Sequence, residues 1–463
     1  MSGRSVRNDV RPSVAVASRR PMTHALPPRV RAGLPIEWLV VGLTGLAIVM
    51  FGTVSAEVLS AAKIHYITAG GAFFEKLHPG TYVTILAFVL LLFRGGDVIG
   101  ELDRVISGSK LLLVYFFTCG LLAFQCIVLK RPFTNVIDTF LLPALLALII
   151  WNLTPAQRKP LVYCIHFFIW LNIALGFYEY FSKHRLVPMT MGKLVVTTDW
   201  RSTALLGYPL AAAGIVAMYI LMLALKPRLR APPPLGVAAF MVAMCSLMVF
   251  GGRTALVMVL VVLTGLALFY GARLVRGERY GLTTVIMVAC CLMLIATALP
   301  LLFGTGVFDN MIGRFSSDKG SAHARIATIQ LLSLFDWKEF LLGSEPGRAS
   351  SLQSMMGLDY GIENFWIACI AQYGLIQTAL ITLGLACFFA EVVRRSSGGA
   401  WIAVLFLVVV AASSVSFSSK TITLAIYVSI ICVMLPREPA RQRVRAGPPM
   451  RPRFAAPTLI PSR

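Results

Sequence analysis

The sequence predicts an all-α protein, a polytopic bundle of about 12 transmembrane helices with one large loop domain outside the membrane. Hydrophobic residues make up 57% of the 463 residues, and only 13% are charged. A soluble globular chain carries nearly twice this charged fraction, because its exterior must face water. Apolar runs long enough to cross ~30 Å of hydrocarbon also recur along the chain, separated by charged or Pro/Gly breaks.

Twelve apolar runs are candidate spans, and they lie near residues 36–58, 77–93, 111–129, 137–154, 160–180, 204–225, 235–250, 255–270, 283–303, 365–392, 400–416 and 421–435. Most breaks between them are tight turns, but about 60 residues separate the ninth run from the tenth. The expected organisation is therefore transmembrane helices 1–9 in residues 36–303, a loop domain in 304–363, and transmembrane helices 10–12 in 364–435.

The two ends of the chain are rich in Arg, Pro and Ala. Residues 1–35 and 436–463 contain too few apolar residues to form a core, so we expect both to be disordered basic tails. The first apolar run is too long for the core of an export signal and is expected to stay uncleaved as a full span.

The distribution of Lys and Arg between successive loops predicts the orientation. With the first tail in the cytoplasm, alternate loops are rich in Lys and Arg, and the tail after residue 435 again lies inside. Lys130 and Arg131 are the clear exception. Residues 181–203 and 304–363 then lie outside, which in a bacterium is the periplasm.

The composition also argues against several classes of function. The formal charge of +22 is concentrated in the tails and short loops without interleaved aromatic residues, which disfavours nucleic-acid binding. The nine cysteines include no C-x-x-C pair, and no metal or cofactor site is expected. Acidic residues deep within spans, which mark coupled transporters, are nearly missing; Glu57 and Glu179 lie near the ends of runs and Glu391 at an inner interface.

Four arginines lie at the predicted outer ends of spans or in the large loop: Arg201, Arg253, Arg314 and Arg325. An arginine presents a rigid, charged donor fork that matches phosphate bidentately. Several of them at the membrane surface would suit a lipid-linked diphosphate. The alternative is that each one is an interfacial anchor or the partner of a carboxylate. Arg253 is the strongest candidate, because its Gly-Gly turn allows the backbone and a ligand to approach closely.

A second candidate group, Glu363, Asn364 and Trp366, precedes and begins the tenth run. A carboxylate followed by an amide and aromatic residues can act as a general base beside a sugar platform. Alternatively, Glu363 is a carboxylate favoured at a helix start, and Trp366 belongs to an interfacial aromatic belt.

These motifs together resemble the O-antigen ligase and polysaccharide polymerase family of bacterial inner-membrane proteins. The resemblance rests on Arg201 with Gly207-Tyr208-Pro209, the Gly-Gly-Arg253-Thr turn, Arg325 in a large outside loop, Leu341-Leu-Gly-Ser-Glu345, Glu363-Asn364, and Gln372-Tyr-Gly-Leu375. Ligases of this family carry a histidine before the asparagine, where this chain has Glu363, and this difference favours the exopolysaccharide-polymerase branch.

The resemblance implies a multi-pass inner-membrane enzyme that polymerises undecaprenyl-diphosphate-linked repeat units, inverting the linkage without a metal. It implies catalytic roles for Glu363, Arg253 and Arg325, and substrate binding by Arg201, Arg314, Asn364 and Trp366. The implied partners are the lipid-linked glycan, the growing polysaccharide and membrane lipids, with a chain-length regulator and export proteins as further candidates. A ligase that transfers the glycan to a lipid or protein, and a non-catalytic exporter or flippase, are the alternatives.

Overall fold

A computed structural model describes residues 34–68, 70–191, 194–195, 201–226, 233–277, 321–358, 361–362, 364–413 and 420–437. Within them the regular secondary structure is helical apart from two paired two-residue strands, β1 (Thr190–Met191) and β2 (Leu194–Val195). The helices before the large loop are α1 (Leu34–Thr53), α2 (Ala56–Ala61), α3 (Pro79–Phe93), α4 (Val98–Ser107), α5 (Lys110–Val128), α6 (Leu142–Trp151), α7 (Pro155–Ser182), α8 (Pro209–Leu225), α9 (Pro233–Phe250) and α10 (Arg253–Val275). Those that follow are α11 (Ser321–Leu331), α12 (Trp337–Leu342), α13 (Arg348–Met355), α14 (Phe365–Tyr373), α15 (Leu375–Arg395), α16 (Ala400–Ser413) and α17 (Thr423–Met434).

Many of these helices are those expected of a membrane protein. Among the described residues, five are long and apolar enough to cross a bilayer: α1, α5, α7, α10 and α15. The pair α3 and α4, bent by 110°, makes a sixth if it forms one span. Shorter apolar helices cover Val136–Trp151, Pro209–Leu225, Leu235–Phe250, Ala400–Ser413 and Thr423–Met434. The ninth predicted run, 283–303, lies outside the described residues, and the total of twelve spans stays a prediction.

Three of the shorter apolar helices, α6, α8 and α17, form the centre of the bundle. Nearly every residue of α8 and α17 is buried, and α17 packs against both α6 and α8. A helix that is apolar on every side is expected where other helices surround it. The outer helices instead expose large apolar side chains, such as Phe117 (66% exposed) on α5 and Leu268 (70%) on α10. Lipid rather than water is the natural solvent for such a surface.

One end of the bundle, which we call the basic end, collects arginines from several loops. Glu37 at the start of α1 lies 3.5 Å from Arg94 and accepts a hydrogen bond of 2.9 Å from Gln157. The buried carboxylate of Glu391 pairs with Arg394 and Arg395 at 2.6 and 2.5 Å. The sequence assigned these arginines to cytoplasmic loops, and the structure brings them to the same end.

The predicted single run 365–392 forms two helices in the structure, α14 and α15, with a break between them. Gly374 interrupts the helix with φ of 85°, a conformation that favours glycine. The segment after α12 presses against this break, since a Cβ on Gly374 would lie 2.4 Å from the Gly343 nitrogen. The Ser344 hydroxyl also donates to the Ala371 carbonyl at 2.9 Å. Close backbone contact therefore requires glycine on both sides.

Arg131, the exception to the charge pattern, forms hydrogen bonds with both sides of this junction. Its guanidinium donates to the carbonyls of Gln372 and Ser344, and it lies 5.8 Å from the centre of the Tyr373 ring. Gln125 on α5 donates to the Leu342 and Tyr373 carbonyls at 2.8 and 2.9 Å. The charge on Arg131 is thus used for tertiary packing, which explains why it does not follow the loop asymmetry.

The described part of the large loop has a small core of its own. Leu331, Phe335, Leu358 and Ile362 are buried together against Ala368 and Ala371 of α14. Asp336 and Glu339 form a capping box that starts α12. Residues 321–358 are therefore folded, while the boundaries 304–363 and the periplasmic location stay predictions.

Candidate functional site

The opposite end of the bundle, which we call the site end, contains Arg201, Arg253, Asn364 and Trp366 of the predicted site. Here α1, α7, α9 and α16 finish, and α3, α8, α10, α14 and α17 begin. Arg201 precedes α8 and Arg253 is the first residue of α10; both are partly buried. Arg325 belongs to α11. Arg314 and Glu363 lie outside the described residues, so their roles stay predictions.

A buried carboxylate shapes the segment that contains Arg201. Glu179, in the last turn of α7 and 1% exposed, accepts backbone hydrogen bonds from Leu186 (3.0 Å), Thr203 (2.8 Å) and Ala204 (2.9 Å). Ala204 has φ of 47°, a left-handed conformation that is costly for a residue with a side chain. The charge-assisted hydrogen bonds that Glu179 accepts offset that cost and hold the chain between α7 and α8 in place.

The structure brings Arg201 and Arg253 to the two sides of one turn. The Ser202 nitrogen donates to the Val249 carbonyl at 3.3 Å, so the segment after Arg201 lies against the last turn of α9. Gly251 and Gly252 then reverse the chain, and Arg253 starts α10. A Cβ on Gly252 would lie 2.3 Å from that of Ala213, which holds this turn close to α8.

The start of α10 combines a helix N-terminus with a cationic side chain. The first turn of this 23-residue helix has no acidic residue, and its first residue is Arg253. The unsatisfied N–H groups of a helix N-terminus carry a partial positive charge, so a cation at this position raises the local potential further. Arg201 adds a second cation beside the same turn. A phosphate group would be attracted by both the arginines and the helix dipole.

Asn364 has a clear structural role as the N-cap of α14. Its Oδ1 atom accepts from the Trp366 and Ile367 nitrogens at 3.0 and 3.1 Å, and its Nδ2 atom donates to the Ala412 carbonyl at 3.3 Å. These bonds fix the start of α14 against the end of α16. Substrate binding by Asn364 stays a prediction, and these contacts alone explain an asparagine at this position.

Trp366 faces hydrocarbon-like surroundings. It borders a cavity of about 250 Å³ whose lining is almost wholly apolar and includes Phe140, Phe365, Phe389 and Leu407. Such a lining suits an alkyl or isoprenoid chain better than a sugar. The predicted role of Trp366 in substrate binding therefore fits the lipid part of a substrate best.

A buried polar network lies at the same end, and the sequence reasoning missed it. Asp138 is fully buried and accepts from the Tyr66 hydroxyl (2.9 Å), the Thr81 hydroxyl (2.7 Å) and the His78 nitrogen (3.2 Å). The Lys420 ammonium lies 3.6 Å from the same carboxylate. An acidic residue at the start of an otherwise apolar run was the available signal, because such residues are rare without a partner.

Two groups of this network that lie outside the spans have altered proton affinities. Burial lowers the pKa of Lys420 to about 8, against the opposing attraction of Asp138. Burial also lowers the pKa of His78 to about 4. The neutral His78 ring is consistent with its contacts: Nδ1 accepts from the Gly80 nitrogen at 3.0 Å, and Nε2 lies 2.6 Å from the Val54 carbonyl as a donor.

A scan against protein-family models and a search of curated proteins gave no match. The family resemblance therefore rests on the short motifs of this chain. Within the described residues, no group of three His, Cys, Asp or Glu side chains is placed to hold a metal ion.

Proposed function

We propose that this protein polymerises undecaprenyl-diphosphate-linked oligosaccharide repeat units into exopolysaccharide or O-antigen at the periplasmic face of the bacterial inner membrane. The observation that carries the proposal is the placement of Arg201 and Arg253 on either side of one turn, at the N-terminus of α10. Two guanidinium forks and a helix dipole would hold the diphosphate of a lipid-linked donor at membrane level.

The reaction would be a metal-independent inverting glycosyl transfer. An acceptor hydroxyl oxygen attacks the anomeric carbon, and the bond from that carbon to the diphosphate oxygen breaks with its electron pair. Arg201, Arg253 and Arg325 would stabilise the negative charge as it develops on the leaving diphosphate. Glu363 would accept the hydroxyl proton.

The apolar cavity beside Trp366 supports a lipid-linked rather than a free sugar donor. It lies between α14, α15 and α16 and borders Phe389 and Leu407. A hydrocarbon chain bound there would leave its polar head near the site end, where α14 begins. A ligase would share these donor contacts and differ in its acceptor, whereas an exporter would form no new glycosidic bond.

Arginine substitutions test the proposal directly. Arg253→Lys keeps the charge but loses the bidentate fork, so polymer formation from purified lipid-linked repeat unit should fall at least tenfold. Arg201→Lys should lower polymer formation to a similar extent. Arg273→Lys, at the opposite end of α10, is the matched control and should keep wild-type turnover. Normal polymer yields from both site variants, at wild-type protein levels, would refute the proposal.

A further inference from the structure

A second cavity at the site end is lined by polar groups from three separate elements. It has a volume of about 150 Å³ and lies between the turn after α1, the start of α8 and the start of α17. Its lining is partly polar (Glu57, Tyr66 and Lys420 among others) and partly apolar (Phe51, Ile215 and Ile426 among others). A cavity of about this volume admits one six-membered ring.

Glu57 is the group in this cavity with capacity left for a ligand. Burial raises the pKa of Glu57, against the hydrogen bonds from its own backbone and the Ser55 hydroxyl, which favour the charged form. An ionised carboxylate accepts about four hydrogen bonds, so further donors can be accommodated. Its Oε2 atom packs closely on Gly207, where a Cβ would lie 1.8 Å from it.

Lys420 has a different role, although it also borders the cavity. Its ammonium donates to the Tyr66 carbonyl at 3.2 Å and to the Lys76 carbonyl, and it pairs with Asp138. Two of its three N–H donors are therefore bound by backbone carbonyls, and its charge is balanced by Asp138. The cavity as a whole is not an anion site, because Glu57 would repel a phosphate.

The chemistry of the lining matches a polyhydroxylated ring. The hydroxyl groups of such a ring donate to a carboxylate, while its C–H face packs on apolar and aromatic side chains. Glu57 supplies the acceptor, and Phe51, Ile215 and Ile426 supply the apolar floor. A purely hydrocarbon ligand would leave the half-buried Glu57 carboxylate with acceptor positions unfilled, which is costly.

The cavity is also connected to the arginine pair through one short segment. Leu206 and Tyr208 border the cavity, and Arg201 stands a few residues earlier in the same segment. Glu179 holds the residues between them in place. A ligand that spans both sites would therefore contact the two ends of one rigid loop.

We propose that this cavity binds one sugar ring of the glycan, with Glu57 accepting hydrogen bonds from the ring hydroxyls. The identity of the glycan rests on the proposed function. The cavity thus separates sugar recognition from diphosphate recognition: Glu57 binds a neutral ring, and the arginines bind the charged group.

Binding of a lipid-free glycan tests this assignment. The probe is an oligosaccharide released by mild acid from the polysaccharide of the source organism and freed of lipid and phosphate. Saturation-transfer NMR with full-length protein in lipid nanodiscs should detect contacts to its ring protons. Glu57→Leu should weaken binding at least tenfold. Ile67→Trp, at an exposed position bordering the cavity, should do the same without altering the bundle.

Two controls separate this site from the arginine pair. Asp103→Asn, an exposed carboxylate variant on α4, and Arg253→Gln should both bind the oligosaccharide within twofold of wild type. Inorganic pyrophosphate should not displace it. Undiminished binding by both cavity variants, absence of binding by the wild type, or displacement by pyrophosphate would overturn the assignment.

Turnover is measured separately, so the two proposals fail in different ways. Glycan binding that depends on Glu57, in a protein that never extends lipid-linked repeat units, would refute the polymerase and keep the sugar site. Polymer formation that needs Arg253, together with glycan binding indifferent to Glu57, would refute the sugar site and keep the polymerase.

Discussion

The substitution Glu179→Gln should release the segment that carries Arg201 while leaving the helices in place. The Glu179 carboxylate accepts three backbone N–H groups, one on Oε1 from Leu186 and two on Oε2 from Thr203 and Ala204. A glutamine of the same size has a single acceptor oxygen. If that oxygen faces Thr203 and Ala204, the new amide points its own hydrogens at the Leu186 nitrogen.

The expected cost follows from these three bonds. One buried donor loses its acceptor, which costs about 1–3 kcal/mol. The two remaining bonds cease to be charge-assisted and lose about 1 kcal/mol each. The segment should therefore be destabilised by about 3–5 kcal/mol in total. Because the bonds are local, we expect local opening rather than global unfolding.

Hydrogen exchange of the peptide covering residues 201–208, measured in nanodiscs, gives the readout. In Glu179→Gln, hydrogen exchange at residues 201–208 should be at least a hundredfold faster, while exchange in α8 should not change. Polymer formation by this variant should also fall. Glu391→Gln is the matched control: it removes an equally buried carboxylate at the basic end and should leave this peptide unaffected. Wild-type exchange at residues 201–208 in Glu179→Gln would refute the reasoning.

Three further predictions concern topology, the helix break and the buried ion pair. In a background without native cysteines, Ser351→Cys should react with an impermeant thiol reagent from the periplasmic side; labelling from the cytoplasm alone would reverse the topology. Gly374→Ala should cost about 2–5 kcal/mol in thermal unfolding, from positive φ and overlap with Gly343, and normal stability would contradict the observed contact. Lys420→Met should cost about 3–5 kcal/mol by leaving Asp138 unpaired, and adding Asp138→Asn should restore most of it. Because burial lowers the pKa of Lys420 to about 8 from 10.5, the folded chain binds fewer protons than the unfolded chain between these values. The free energy of unfolding of wild type relative to Lys420→Met should therefore rise with pH across that window. A difference in this free energy that does not change with pH would exclude the lowered pKa of Lys420.

Composition and apolar runs were sufficient to predict the helical membrane fold. The density of apolar residues leaves few alternatives, and loop arginines such as Arg94 and Arg394 were correctly grouped at one end. The same pattern could not predict the break at Gly374, because the hydropathy of run 365–392 is continuous across it. The break depends on a close contact with Gly343, which is distant in sequence. The hydropathy of a single run contains no information about such a contact.

The candidate site was predictable only where a residue type is unusual for its position. Arg253 after two glycines and Arg201 before an apolar run stood out, and the structure places them on one turn. Glu57 and Glu179 were noticed merely as acidic residues near run ends. Their roles depend on which backbone groups and cavities surround them, and those surroundings arise from tertiary packing between α1, α7 and α8.

The contacts of Arg131 also bear on how the protein is made. Its carbonyl partners, Ser344 and Gln372, follow it by 213 and 241 residues. During synthesis, the Arg131 guanidinium therefore lacks the Gln372 carbonyl until α14 has been made. The contact that joins α14 to Arg131 can therefore form only late in synthesis. A chain truncated before Gln372 would leave the Arg131 guanidinium without one of its two carbonyl acceptors.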